Sequence, residues 1–342
     1  MTGTRPLRLG TRRSRLATTQ STHVADALRA LGHEVELVQI VTEGDVNQAP
    51  LATIGGTGVF AAALREALLR DEIDFAVHSL KDLPTTPHDG LTIAAVPARE
   101  DPRDAVVARD GLTLSELGAG ARVGTGSPRR VAQLACLGWG LELLPIRGNV
   151  DTRLALVTDD ELDAVVLAAA GLRRLGLQDR VSELLEPIQM LPAPGQGALA
   201  VECRTDREDV RSILAALDDP DTRACVEAER SVLAALEAGC SAPVGALGEI
   251  VEGESSDPDG EPILELSLRA FVGHPDGTAE LRRSVLGDPA DPVALGRRLA
   301  TLLLEDGAAD LVPADSRTAA SHAAPSPSDR QTNLDTSLED TP

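Results

Sequence analysis

Short apolar runs alternate with segments of helical period through the first hundred residues, and this alternation limits the possible folds more than any other feature of the chain. Residues 7–9 read as a strand. From about Ser14 onward Leu16, His23, Val24, Ala27, Leu28 and Leu31 share one helical face, and Gly32 stands at a C′ position. Residues 35–41 form the next apolar run, and Phe60, Ala63, Leu64, Ala67 and Leu68 again repeat at helical spacing. Strands at 73–78 and 91–96 follow. Strand, helix and strand in this order imply a parallel sheet with right-handed crossovers.

A polar, proline-bearing stretch at 97–103 interrupts the pattern. A second alternating unit then runs through strands at 105–108, 122–124, 143–146 and 164–168, with a helix after Ser127. It ends at Leu191-Pro192-Ala193-Pro194-Gly195, a second break. Two breaks around one unit predict that the chain leaves its first lobe and returns to it, residues 198–216 completing the first sheet. Beyond Pro220 the pattern changes to a helix at 222–238, strands at 246–251 and 263–272 about an acidic turn, and a helix at 292–304. The expected class is α/β: two doubly wound lobes and a C-terminal α+β domain. Lobe 1 would comprise 1–97 and 198–217, lobe 2 103–192, and the third domain 220–312. Residues 313–342, rich in Ser, Thr, Ala, Asp and Pro, read as a disordered tail.

Composition bears mainly on partners. Acidic residues outnumber basic ones 54 to 32, for a net charge of −22, which opposes nucleic-acid binding. No apolar run approaches the roughly 18 residues that cross a bilayer, and the first fifteen residues lack an apolar signal core. A soluble, cytoplasmic chain is expected, without a membrane partner. Cys136, Cys203, Cys225 and Cys240 are dispersed, without metal-site spacing, so no metal is expected and each reads as a small buried hydrophobe. Lys81 is the sole lysine. Acidic excess with depleted lysine suits a very salty cytoplasm, where the Debye length falls to about 3 Å at 1 M; a GC-rich genome is the alternative source of the lysine loss.

Ligands of open α/β sheets gather beyond the carboxyl ends of the strands. There this chain places Thr11-Arg12-Arg13-Ser14, Thr42-Glu43-Gly44-Asp45 and His78-Ser79-Leu80-Lys81-Asp82. In the second unit come Gly124-Thr125-Gly126-Ser127-Pro128-Arg129-Arg130 and Arg147-Gly148-Asn149, with Arg153 one turn on. Arginines recurring at strand ends in an acidic protein point to an anionic ligand, since the guanidinium fork matches carboxylate or phosphate. Gly55-Gly56-Thr57-Gly58 lacks the lysine of a phosphate-binding loop, and Arg129 stands where a dinucleotide fingerprint needs its third glycine. Both segments read as turns exposing backbone N–H groups. Asp82, in a cleft near arginines, could hold a developing cation or shuttle a proton. A two-lobed, non-catalytic anion-binding protein is the rival reading; it gives Lys81-Asp82 no task.

Together these residues resemble the hydroxymethylbilane synthase (porphobilinogen deaminase) family from about Leu7 to Leu311. The resemblance rests on Thr11-Arg12-x-Ser14, Val41-Thr42-x-Gly44-Asp45, Gly55-Gly56-x-Gly58-x-Phe60 and Ala76-Val77-His78-Ser79-x-Lys81-Asp82-x-Pro84. It continues through Arg99-Glu100-Asp101-Pro102-Arg103-Asp104-Ala105, Arg129-Arg130, Ile146-Arg147-Gly148-Asn149-Val150, Ala170-Gly171-Leu172, Gly195-Gln196-Gly197-Ala198 and Gly239-Cys240. It implies periplasmic-binding-protein-like lobes and a dipyrromethane cofactor joined by a thioether to Cys240. The implied reaction adds four porphobilinogen units stepwise, each losing ammonia, before hydrolysis frees linear hydroxymethylbilane.

By that resemblance Asp82 is the catalytic carboxylate, contacting pyrrole N–H groups and stabilising the azafulvene-like cation formed as ammonia departs. Ser79, Lys81, Thr125, Ser127, Arg129, Arg130, Arg147 and Gly148 would hold the cofactor. Arg12, Ser14, Arg147, Arg153 and Gln196 would bind substrate, together with Phe60, for which a core role is the alternative. A monomer is implied. The chain departs from the family at Thr57, where lysine is common, at Gly126 and Pro128, which replace the usual serine and leucine, and at Ser241.

Overall fold

The computed structural model describes residues 5–40, 59–239, 242–253 and 262–312, with the side chains of residues 59 and 60 outside that set. In chain order the first lobe begins with β1 (Leu7–Thr11), α1 (Arg15–Ala30), β2 (Val35–Gln39), α2 (Val59–Leu69), β3 (Phe75–Ser79) and β4 (Leu91–Ala95). Ser14 caps α1, its hydroxyl accepting from the Ala17 N–H at 3.3 Å. Gly32, at φ +91, turns the chain out of the helix.

The second sheet is built from β5 (Asp104–Ala108), β6 (Arg122–Gly124), α3 (Pro128–Cys136), β7 (Glu142–Leu144), α4 (Val150–Thr158), β8 (Ala164–Ala168), α5 (Ala169–Arg174) and β9 (Glu183–Leu185). The chain then re-enters the first sheet as β10 (Leu199–Arg204), followed by α6 (Glu208–Leu214). Strand order is β2-β1-β3-β10-β4 in the first sheet and β7-β6-β8-β5-β9 in the second. The third unit comprises α7 (Pro220–Ala235), β11 (Val244–Gly253), β12 (Ile263–Gly273), β13 (Glu280–Gly287), α8 (Pro292–Glu305) and α9 (Ala308–Leu311). Its three antiparallel strands share a core with α7 and α8 through Val232, Leu268, Leu299 and Leu303.

The sheets are mixed rather than purely parallel. β10 runs antiparallel to β3 and β4, and β5 runs antiparallel to β8 and β9. The reason is where the chain crosses between lobes. Returning from the second sheet, it arrives beside the end of β3, so Leu199 pairs with Ser79 and Cys203 with Phe75. β9, β13 and α5 carry no strong periodicity and lie outside the elements expected from sequence. The central strands β3, β5, β8 and β10 are buried along almost their whole length, as expected where helices cover both faces.

The crossing segments are packed against each other. Gly197 has φ +89, and a Cβ there would lie 2.2 Å from the Glu100 carbonyl oxygen, so only glycine fits. Glu229 on α7, wholly buried, binds both crossings at once. It accepts from Arg99 Nη1 and Nη2 at 2.6 and 3.0 Å, from the Gly195 N–H at 2.6 Å and from the Gly248 N–H at 2.8 Å. A second connection joins the lobes on the surface, where Arg15 meets Asp151 at 3.0 Å and the Leu175 carbonyl at 3.1 Å.

Candidate active site

β3 ends at Ser79 and passes directly into the 3-10 turn Leu80–Asp82, so Ser79, Lys81 and Asp82 leave the core together. Leu80 and Leu83 are buried and anchor the turn. From the third unit, Arg230 donates to the carbonyls of Leu83 at 3.0 Å and Pro84 at 2.7 Å. Asp82 is therefore exposed on a firmly held base. Ser79 Oγ accepts from Gln20 Nε2 at 3.0 Å. Half-buried Lys81 donates to Gln196 Oε1 at 3.1 Å. Burial pushes the Lys81 ammonium down to about 8; Arg130 and Arg129 act in the same sense, while Asp82 and Asp104 oppose them.

The second sheet supplies the cations. β6 leads to buried Thr125, whose Oγ1 accepts from the Ser127 N–H at 3.3 Å, and Pro128 then opens α3 with Arg129 and Arg130 on its first turn. Gly126 fits its place closely, since a Cβ would lie 2.6 Å from the Ile146 carbonyl oxygen. Both arginines are buried against one acid, Asp104, the first residue of β5. Arg130 Nε and Nη2 donate to Asp104 Oδ1 at 3.0 and 2.7 Å, and Arg129 Nη2 lies 2.8 Å from Oδ2. Burial alone would raise the Asp104 carboxyl, but the two guanidinium groups hold it well below the usual carboxylate range. Two cations on one anion leave a net positive charge buried in the second lobe.

Arg147-Gly148-Asn149 forms the turn that launches α4. Gly148 has φ +102 and sits where a Cβ would approach Thr152 within 2.9 Å, and Asn149 Oδ1 caps the helix through the Thr152 N–H at 2.9 Å. Arg147 and Gly148 are exposed, whereas Arg153, one turn later, is largely withdrawn from water. Burial and Arg130 lower its proton affinity, and Asp82 opposes that effect. The fields of Asp82 and Arg153, from different lobes, therefore meet. Arg129 Nε and Arg153 Nε are buried with no hydrogen-bond partner among the described residues. Arg12 is half-buried at the end of β1, its carbonyl accepting from Thr18 Oγ1 at 3.2 Å, beside the Ser14 cap.

Gln196, read from sequence as a substrate-binding residue, is buried and its side-chain amide is occupied by the protein: Nε2 donates to the Pro102 carbonyl at 2.7 Å and to Asp104 Oδ1 at 2.9 Å. The Cys240 and Phe60 assignments lie outside the described residues, as do Thr42, Gly44, Asp45, Thr57 and Ser241. The other three cysteines are free, and burial raises their thiols to about 11 for Cys136 and Cys203 and about 12 for Cys225. Asp104, Gln20, Glu229 and Arg230 shape the site but went unassigned in the sequence. Asp104 stood inside a motif that carried the resemblance, so a signal was present there. The acid and arginine of α7 gave none, being ordinary charges in an amphipathic helix.

Two family models match the chain: the porphobilinogen deaminase dipyromethane cofactor binding domain over residues 7–212, and the porphobilinogen deaminase C-terminal domain over residues 223–305. A porphobilinogen deaminase of Nocardia farcinica is 59% identical over 311 residues, covering 91% of this chain and 89% of the relative. Porphobilinogen deaminase 1 of Streptomyces coelicolor is 57% identical, covering 90% and 97% respectively. The porphobilinogen deaminase of Mycobacterium tuberculosis is 58% identical, covering 90% and 98%. Among solved structures, the methionine binding protein MetQ aligns with a TM-score of 0.39 at 12% identity, over 62% of this chain and 89% of that one. On the matches to both family models and to relatives over nine-tenths of its length, the chain belongs to the porphobilinogen deaminase family.

Proposed function

We propose that this chain is a hydroxymethylbilane synthase, a transferase of tetrapyrrole biosynthesis that condenses four porphobilinogen molecules head to tail with loss of ammonia and releases the linear product by hydrolysis. The observation that carries the reading on the structural side is that Asp82, from the first lobe, acts on half-buried Arg153 of the second, in the lobe that buries Arg129 and Arg130 over a single acid. Acetate and propionate groups on every pyrrole require cationic partners, and a chain that grows by such units needs several of them in one cleft.

The dipyrromethane cofactor of the family fits this donor set. Arg129 Nε and Arg153 Nε are buried donors that no described residue satisfies, and a carboxylate-bearing ligand would complete them. The residues proposed to hold it are Ser79, Lys81, Thr125, Ser127, Arg129, Arg130, Arg147 and Gly148, with Cys240 as the point of attachment. When bound, it supplies the pyrrole carbon to which the first substrate is joined. Arg12, Ser14 and Arg153 are proposed to orient incoming carboxylates, and Arg147 to serve both ligands. Asp82 stands at an exposed turn whose base is held by Arg230, so its carboxylate can accept pyrrole N–H bonds and stabilise positive charge as ammonia leaves.

The proposed division of labour follows the expected limits: lobe 1 from 1–97 and 198–217, lobe 2 from 103–192, and a third domain, 220–312, that carries the cofactor cysteine. A cytoplasmic monomer adapted to salt is the accompanying proposal, supported by the acidic composition; among the described residues no helix is long and apolar enough to cross a membrane. The direct test is incubation of the purified protein with porphobilinogen while following ammonia and hydroxymethylbilane, alongside intact mass. A pyrrole-bearing mass and turnover are expected. The mass of the bare chain with no porphobilinogen consumed would overturn the assignment.

A further inference from the structure

Gln196 occupies the return crossing between the lobes and is 1% exposed. Its amide joins three parts of the molecule. Oε1 accepts from Lys81 Nζ, on the turn after β3 in the first lobe, at 3.1 Å. Nε2 donates to Asp104 Oδ1, the anion beneath Arg129 and Arg130 in the second lobe, at 2.9 Å, and to the Pro102 carbonyl of the outgoing crossing at 2.7 Å. Its own carbonyl is fixed by Arg99 Nε at 2.8 Å, and Arg99 is clamped by Glu229. The partners dictate the side chain. A cation lies on one side and a carboxylate with a carbonyl on the other, so the group between them must accept on one face and donate on the other while remaining neutral. A carboxylate at this position would confront Asp104, and an ammonium would confront Lys81.

We propose that Gln196 is a positioning residue that ties the Lys81 ammonium of one lobe to the Asp104-held arginine pair of the other, so that the two sets of cations face the same ligand in a fixed relation. This rests on the proposed synthase reading for the ligand, but the link itself is independent of turnover. Around Lys81 the charged groups are Asp82 on its own turn, Asp104 of β5, and Arg129 and Arg130 of α3. Gln196 adds the acceptor that favours the charged ammonium and at the same time restrains Asp104.

Because Lys81 is the only lysine, reductive methylation with carbon-13 formaldehyde places a single side-chain probe on the full-length holoprotein, the α-amino signal serving as an internal reference. Titration by NMR is expected to move in opposite directions in two variants. Gln196→Leu removes an acceptor and should lower the proton affinity of Lys81 several-fold, whereas Gln196→Glu places a carboxylate beside it and should raise it roughly tenfold or more. A purely structural role would shift both variants alike, and either that result or no shift would overturn the proposal. The wild-type protein provides a test that needs no variant to fold. The Gln196 side-chain amide resonances should exchange slowly with solvent and move with the Lys81 titration; an amide signal that stays fixed through it would refute the link. Neither measurement uses porphobilinogen, so failure here leaves the synthase assay to be judged separately.

Discussion

Replacing Glu229 by Gln alters one heavy atom and should cost the fold more than almost any other substitution of that size. Each carboxylate oxygen accepts two hydrogen bonds: Oε1 from Arg99 Nη1 and the Gly248 N–H, Oε2 from Arg99 Nη2 and the Gly195 N–H. An amide nitrogen in either place points a donor at two donors, so two bonds vanish whichever way the side chain turns. Bonds to a charged group contribute about 1.5–3 kcal/mol each. Arg99, with little solvent access, also loses its counter-ion, and breaking a buried pair in this way costs about 3–5 kcal/mol. The two estimates agree, so a loss of about 3–5 kcal/mol is expected in urea unfolding followed by circular dichroism. Hydrogen exchange should accelerate first at Gly195 or Gly248, according to which oxygen is replaced, before any change in the outer strands. A loss below about 1 kcal/mol with unchanged exchange at both amides would show that Glu229 does not hold the crossings.

Four further outcomes are expected. Asp82→Ala should retain a pyrrole-bearing mass yet lose turnover by about a hundredfold or more; a near-normal rate would refute the catalytic assignment. Cys240→Ala should show the mass of the bare chain and form no product, and product formation from it would contradict the anchor. Asp74, wholly buried, is held below the usual carboxylate range because Arg5 and Arg8 outweigh the opposing effect of its burial. Its contribution is thus complete above the unfolded value of about 3.9 and is lost as pH falls through the folded value. Asp74→Asn should flatten the stability slope below pH 4, and an unchanged slope would remove Asp74 from the acid response. Finally, the acidic excess predicts loss of structure or activity on dilution of salt, and full activity in dilute buffer would reject that reading.

What could be read from the sequence, and what could not, divides by the range of the interaction. The α1 boundaries were legible because Ser14 and Gly32 act within one turn of the backbone they terminate. Breaks in the alternating pattern are visible at 97–103, which carries two prolines, and at 191–195, where proline and glycine cluster. Strand direction was not: whether β10 runs with or against β3 depends on the point at which the returning chain meets the sheet, which no local period records. The same limit applied to the site. Arg129, Arg130 and Arg153 could be picked out as cations near strand ends, but the acid under the first two lies 26 residues from Arg130 in sequence, and Arg99 finds Glu229 across 130 residues. Electrostatics nevertheless gives a way to look for such partners. An arginine cannot be withdrawn from water without an anion or a set of acceptors to face it, so a strand-end arginine predicted to line a cleft already implies an acid beneath it. In this chain that reasoning would have singled out Asp104, because it opens a strand in the same lobe within a motif already noticed. It would not have found Glu229, whose partner is a crossing segment rather than a site. Buried counter-ions of ligand-binding cations are therefore open to inference from sequence where they share a sheet, while those that fasten one lobe to another require the three-dimensional structure.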